Sequence, residues 1–314
     1  MPFKKSGSRY CRLCLLWFCC FLFGFSNSGA AATPLLGADS VGQHLLVDVS
    51  WLQHHLQDEN LVVVDVRPAA LFWQGHIRGA VNVPIEHTFN SRPPRYRVGS
   101  VQAIQSLVGR AGIDNHSDVL LYDDGSFVDA GRLFWIFEVY GHHRVAILDG
   151  GFPAWKKQGL AVALEMDTPR AKQFVARIQP ERLATKLNAL LAMQGGNKIL
   201  LDARTKEEYA GKVSKAKRFG HIPGAVNFPV ERNLVQVDGV TMLRSQAELE
   251  SLYAPLNGGK AIITYCNRGK SSSLSYFVLR YLGRDVSHYD GSWLEWGNDP
   301  KLPVEQAAVS VIAK

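Results

Sequence analysis

A chain of 314 residues is long enough for two domains of ordinary size, each with its own core. Its 46% hydrophobic and 20% charged content excludes a disordered chain. The formal charge of +7 does not argue for nucleic acid: Lys4, Lys5, Arg9 and Arg12 supply four of those charges in an acid-free leader, and the rest carries only +3.

The leader has three parts. A basic start precedes thirteen apolar residues, Leu13 to Phe25, and then "SNSGAAATP", with Ala30 and Ala32 in an A-x-A arrangement. This is the anatomy of a secretory signal peptide over residues 1–32, and the apolar run is short for a bilayer span. Export to the periplasm with cleavage near Ala32 is expected; an uncleaved membrane anchor is the alternative. Cys19 and Cys20 do not read as a lipidation site, because "LLWF" before them is bulky. Cleavage removes Cys11, Cys14, Cys19 and Cys20, leaving Cys266 alone. Exported proteins commonly pair their thiols, so a lone one is either an inert buried group or a reactive one.

Beyond the leader, short Val-, Ile- and Leu-rich runs alternate with helix-patterned stretches. "LVVVDV" (61–66), "VLLYD" (119–123) and "VAILDG" (145–150) read as strands buried on both faces, as do "ILLDA" (199–203) and "AIITYC" (261–266). The stretch Leu133 to Tyr140 is apolar on more than one face, whereas Leu274, Phe277, Val278 and Tyr281 form the stripe of an amphipathic helix. The chain also matches itself. "VVVDVRPAALFWQGHIRGAVNVPIE" (62–86) aligns with 199–231, where about eight extra residues surround "KVSKAKRF". Residues 118–155 align with 260–296. Two α/β domains follow, 40–162 and 180–304, each a mainly parallel sheet flanked by helices, joined by a polar, proline-marked linker at 163–179. Ligands in such folds sit at the carboxyl ends of strands, which is where Cys266 falls.

The run Cys266-Asn267-Arg268-Gly269-Lys270-Ser271 joins a strand end to a helix start. The first turn of a helix leaves its amides without internal partners and so attracts anions. Arg268 and Lys270 add two cations, Gly269 permits a tight turn, and Ser271, Ser272 and Ser273 offer hydroxyls for capping or for the sulfur. Cysteines in such settings ionise readily. The bland reading, a small core residue before a solvated turn, explains the thiol or the loop but not their conjunction. In the first copy Asp123 stands where Cys266 stands in the second, so that copy is expected to be catalytically silent.

On these residues the chain resembles the tandem-domain rhodaneses, the thiosulfate sulfurtransferase family, over nearly all of 40–304. The resemblance rests on "GHIPGAVN", on the loop "CNRGKS" and on "YDGSWLEW" (289–296). It implies a two-step cycle in which Cys266 takes a sulfur from thiosulfate, holds it as a persulfide, and gives it to cyanide or a thiol, with no cofactor or metal. The amides of Asn267 through Ser272 would stabilise the sulfur, and Arg268 and Lys270 would orient the dianionic donor. The expected partners are a small-molecule sulfur donor and a thiophilic acceptor, with no nucleic acid, and with the membrane only through the export signal or an uncleaved anchor. Two features depart from the family. Asn267 stands where a basic residue is common, and Glu208 stands where several relatives have a donor-binding arginine, although Lys212, Lys215 or Lys217 could compensate. A persulfide carrier and a 3-mercaptopyruvate sulfurtransferase remain alternatives. A phosphatase does not fit, because its loop is one residue longer and ends in arginine where this chain has Ser272. His76, His221, Asp65–Arg67, Asp202–Arg204, Trp293 and Trp296 are expected in framework roles. His54-His55 and His142-His143 lack metal-ligand spacing.

Overall fold

The computed structural model describes residues 35–36, 44–256 and 258–306; the leader expectation lies outside them. Elements of the first half follow in chain order: β1 (Leu46–Val47), α1 (Val49–His55), β2 (Leu61–Asp65), α2 (Ala69–Phe72), β3 (His76–Ile77) and β4 (Val81–Asn82). Then come α3 (Val101–Arg110), β5 (Asp118–Tyr122), α4 (Val128–Val139), β6 (Val145–Leu148), α5 (Gly151–Lys157) and β7 (Val162–Ala163). The second half runs β8 (Leu183–Ala184), α6 (Lys186–Gly195), β9 (Lys198–Asp202), α7 (Lys206–Tyr209), β10 (Val226–Asn227), β11 (Leu234–Val237) and β12 (Val240–Leu243). It ends with α8 (Gln246–Tyr253), β13 (Ala261–Tyr265), α9 (Ser272–Tyr281), β14 (Val286–Tyr289) and α10 (Ser292–Trp296).

Each half builds one five-stranded sheet, ordered β1-β6-β5-β2-β4 in the first and β8-β14-β13-β9-β10 in the second, with every neighbour parallel. The central strands are the apolar runs read from the sequence, and β5 is buried along its whole length. Sheets of parallel strands need helices on both faces, so continuous hydrophobic strands are what the architecture requires. Local chemistry starts several helices: Thr185 and Asn188 form a reciprocal cap on α6, as do Ser245 and Glu248 on α8. The second half adds an antiparallel hairpin, β11–β12, that leans on the first: Leu243 donates its amide to Asp149 Oδ1 at 3.0 Å. Among the described residues, no helix is long and apolar enough to cross a membrane.

The halves meet where α4 lies against α9. Here the structure corrects the expected stripe on α9, because Ser272 through Leu279 are all buried. One face packs on its own sheet and the other on α4, whose residues 130–139 are likewise all buried. Phe134 meets Phe277 edge to face at 4.9 Å. Glu138 accepts from Tyr276 Oη at 2.6 Å and pairs with Arg280 at 2.9 Å. Gly131 makes this approach possible, since a Cβ there would lie 3.2 Å from the Leu274 backbone.

The segment expected as a linker does not hang free. Ala163 pairs with His76 in the β3–β7 ladder. Further on, the amides of Lys172, Arg177 and Gln179 donate to Gly109, Tyr140 and Val139 carbonyls at 2.9, 2.9 and 2.8 Å, and Phe174 is 3% exposed. Polar composition made these residues look like a spacer; their backbone bonds make them a strap along α3 and the end of α4.

Under that strap, His142 is buried between the rings of Phe137 and Phe174, at 5.1 and 5.9 Å. Burial pushes its imidazole down to about 4. Between about pH 6.5 and 4 the unfolded chain therefore binds a proton that the folded chain refuses. This contribution is fully present above pH 6.5 and is lost as pH falls toward 4, on the order of 3 kcal/mol in total. Urea denaturation of wild type and His142→Leu at pH 7 and pH 4.5 checks this. The variant is expected to lose less stability on acidification; equal losses would assign the acid sensitivity to other groups.

Candidate active site

Cys266 follows β13, and its backbone is fixed from both sides. Its amide donates to Ser292 Oγ at 3.2 Å, and its carbonyl accepts from the Trp293 amide at 2.9 Å. The next carbonyl, of Asn267, accepts from Leu294 at 2.8 Å. The "YDGSWLEW" motif thus acts as a clamp, with the start of α10 gripping the first two loop residues. Gly269 adopts φ +71°, a conformation that disfavours any side chain, and a Cβ there would lie 2.7 Å from Asp290 Oδ1. Its carbonyl accepts from Arg132 Nη1 at 2.8 Å and from His288 Nε2 at 3.0 Å. His288 must carry its proton on Nε2 to do so, and Nδ1 takes the Thr264 hydroxyl at 3.1 Å. Burial, reinforced by the neighbouring Arg132 guanidinium, pushes His288 down to about 3, so the ring stays neutral.

Among the described residues, the amides of Asn267 through Ser272 have no hydrogen-bond partner; the first bonded ones are Ser273 and Leu274, to the carbonyls of Lys270 and Ser271. Six successive N–H groups without a partner among the described residues, in a turn that leads into a helix start, are the kind of backbone that attracts anions. The serines do not behave as expected. Ser271 makes no side-chain cap bond on α9, the Ser272 hydroxyl lies 3.5 Å from His288 Nδ1, and Ser273 Oγ donates to the Lys270 carbonyl. Ser271 is itself helical in conformation, which turns its hydroxyl away from the capping position.

The two loop cations differ. Arg268 is exposed and has no ion pair among the described residues, whereas Lys270 is held by Asp129 at 2.6 Å. Asn267 Nδ2 donates to Glu208 Oε1 at 2.8 Å, which places a carboxylate beside the loop. A cavity of about 360 Å³ lies over the loop, walled by Arg268, Lys270, Phe89, Arg95 and Tyr96. Cys266 is withdrawn from it, 3% exposed, and Asn267, Gly269, Ser271 and Ser272 do not wall it. Lys212, Lys215 and Lys217 are exposed on the insertion, and neither they nor Glu208 wall this cavity. The insertion instead packs behind the clamp, where Ser214 Oγ accepts from Trp293 Nε1 at 3.1 Å. Phe89, Arg95 and Tyr96 escaped the sequence reading. The signal was there in "FNSRPPRYRVG" (89–99), whose aromatics and arginines are interleaved, but it belongs to the half that lacks the thiol.

In that half Asp123 follows β5 as Cys266 follows β13. Its carboxylate accepts from the amides of Gly125, Phe127 and Ala130 at 2.8, 3.2 and 3.3 Å. Burial, with Asp124 adding to it, nonetheless pushes this carboxyl up to about 6. The first-half nest is filled by the chain's own side chain. The framework residues stand where expected. Asp65–Arg67 and Asp202–Arg204 are buried pairs at 2.5 and 2.6 Å. His76 and His221 stack on Phe72 and Tyr209 at 3.7 and 3.6 Å. Trp293 and Trp296 are fully buried rather than at a pocket mouth. Among the described residues, no three His, Cys, Asp or Glu side chains form a group able to hold a metal ion.

Because Gly269 combines positive φ with a crowded Cβ position, Gly269→Ala is expected to lower stability by about 1–3 kcal/mol and to disorder the loop. Denaturation midpoints and the rate of Cys266 alkylation by iodoacetamide measure both; unchanged values would show that the loop tolerates a side chain there.

The Rhodanese-like domain family model matches residues 48–158 and 185–299. A thiosulfate sulfurtransferase of Pseudomonas aeruginosa is 33% identical over 265 residues, covering 83% of this chain and 97% of the relative. The sulfur carrier protein TtuD of Thermus thermophilus is also 33% identical, over 277 residues, covering 83% and 96%. Among solved structures, the 3-mercaptopyruvate sulfotransferase SseA of Escherichia coli superposes with a TM-score of 0.71 at 26% identity, covering 79% of this chain and 98% of SseA. A complex of EanB with ergothioneine, at 24% identity and TM-score 0.77, covers 87% of this chain and 72% of EanB and shares the fold.

Proposed function

The chain belongs to the rhodanese family of sulfurtransferases, and on that premise we propose that it moves sulfane sulfur from thiosulfate to cyanide or a thiol through a persulfide on Cys266. The observation that carries this reading is the run of six amides, unpartnered among the described residues, that begins directly after Cys266. In the first step the Cys266 thiolate attacks the outer sulfur of thiosulfate. A bond forms between the two sulfurs, the bond to the sulfonate sulfur breaks, and its electron pair leaves on sulfite. The enzyme then carries Cys–S–S⁻ with the same charge as before. In the second step cyanide attacks the terminal sulfur and departs as thiocyanate, returning the electron pair and the thiolate; a thiolate acceptor departs as a persulfide. No proton needs to move, so the task of the site is to hold negative charge on sulfur. The free amides do this with dipoles already oriented. Arg268, exposed and without an ion pair, draws the donor to the cavity, while Lys270 is partly neutralised by Asp129.

The departure at Glu208 supports thiosulfate over 3-mercaptopyruvate: where several relatives have a donor-binding arginine, this chain offers a donor carboxylate no guanidinium at that position, and Glu208, 2.8 Å from Asn267, would itself oppose any anionic donor. A second reading, a persulfide carrier that hands sulfur to a protein, is favoured by the likeness to TtuD. Turnover separates the two, since a carrier loads once and releases little thiocyanate.

Cys266→Ala is expected to abolish thiocyanate formation from thiosulfate and cyanide at unchanged thermal stability, and intact-mass spectrometry should show one added sulfur on the wild type only. Retained turnover would remove Cys266 from the mechanism. Glu208→Gln keeps the bond to Asn267 and deletes one negative charge near the donor, so the KM for thiosulfate is expected to fall about 3- to 10-fold with kcat within about twofold. A higher KM would mean that the carboxylate helps the donor bind.

A further inference from the structure

We propose that Arg132, which belongs to the half without the thiol, is a positioning residue for sulfur transfer: by holding the Gly269 carbonyl inward it aims the Lys270 amide into the hollow of the Cys266 loop. The inference rests on the persulfide reading above and adds a component from the other half of the molecule.

Arg132 is 0% exposed, and its guanidinium lies over the rings of Trp135 at 4.5 Å and Phe89 at 5.6 Å. Nη1 reaches across the seam to the Gly269 carbonyl at 2.8 Å and to Asp290 Oδ1 at 2.7 Å. Nε and Nη2 have no hydrogen-bond partner among the described residues. Burying a guanidinium with two of its three nitrogens unbonded is a costly way to stabilise a fold, so the group invites a role beyond packing.

Peptide geometry supplies that role. The Gly269 carbonyl and the Lys270 amide share one planar trans peptide, so they point in opposite directions. Arg132 and His288 both donate to that carbonyl, which occupies the acceptor on the protein side. The Lys270 N–H is thereby turned the other way, and it has no partner within the protein. Gly269 has the conformational freedom to flip this peptide; the two donors remove that freedom. α4 contributes a second grip, since Asp129 lies three residues before Arg132 on the same helix face and pairs with the Lys270 ammonium at 2.6 Å. One peptide of the nest is therefore held in place from the partner half, ahead of the reaction.

Two variants test this. Arg132→Lys keeps the charge but replaces a planar fork with a point donor. Arg132→Met with Asp290→Asn removes the pair without leaving a buried carboxylate alone. Both are read by thiosulfate–cyanide kinetics, by the pH profile of Cys266 alkylation with iodoacetamide, and by melting temperature, with Cys266→Ala as the alkylation blank. The expected result is a fall in kcat of about 10-fold for Arg132→Lys and about 100-fold for the double variant, with KM for thiosulfate within about threefold. The alkylation midpoint should rise by about one pH unit in the double variant. Folded variants with wild-type kcat and alkylation profile would overturn the proposal, as would a loss confined to melting temperature. A crystal of wild type treated with thiosulfate gives a test independent of variant folding. The Lys270 nitrogen should lie within hydrogen-bond reach of the Cys266 persulfide, and a flipped Gly269 peptide would refute the assignment. Alkylation reports on the nest whatever the donor, so failure of the thiosulfate reading alone would leave this result distinct.

Discussion

The close approach of α4 to α9 is the constraint on which the site depends. Each helix is covered by its own sheet on one side and by the other helix on the other, so neither has a solvent face to rotate toward. Gly131 brings backbone within contact of backbone at Leu274. Glu138, bonded by Tyr276 and Arg280, resists sliding along the seam. Buried ion pairs of this kind contribute little net stability, but they penalise every register except the one that satisfies them. The consequence for chemistry is that α9 begins at a fixed point relative to α4, and the loop that leads into α9 is formed against a rigid wall.

The two strand ends show one architecture supporting two fates for a negative charge. After β5 the chain bends so that amides converge, and Asp123 places its own carboxylate among them. After β13 the chain turns at a cysteine, and the amides of Asn267 through Ser272 carry no partner among the described residues. The side chain that stands there decides whether the protein itself bonds those amides. The Asp123 carboxyl, pushed up to about 6 despite three amide donors, measures how strongly burial opposes charge at this depth.

Much of this was legible in the sequence, for physical reasons that can be named. Short runs rich in Val, Ile and Leu read as strands covered on both faces, and "AIITYC" is β13 and the residue after it. The loop chemistry was equally local: Gly269 between Arg268 and Lys270 announced a tight cationic turn, and the turn is there. What escaped were contacts across the seam. Nothing local in "VDAGRLFW" shows that Asp129 and Arg132 reach residues 270 and 269, because that pairing depends on how two sheets stack rather than on spacing along the chain. For the same reason the Lys270–Asp129 pair does not show along the chain, the strap reads as a spacer, and α9 reads as half exposed. The arginine- and tyrosine-bearing stretch that walls the cavity was overlooked because it sits in the half whose strand end carries an aspartate.

Cys266 is the only cysteine among the described residues, and it lies buried behind its loop. Many thiol enzymes keep a second sulfur nearby that can displace an oxidised adduct and form an internal disulfide. Among the described residues no second cysteine stands ready to do so. A sulfenic acid formed on Cys266 would then depend on a reductant from solution, and further oxidation would leave the sulfur permanently spent. Seclusion of the sulfur at 3% exposure is then a form of chemical protection for a thiol with no second cysteine beside it among the described residues.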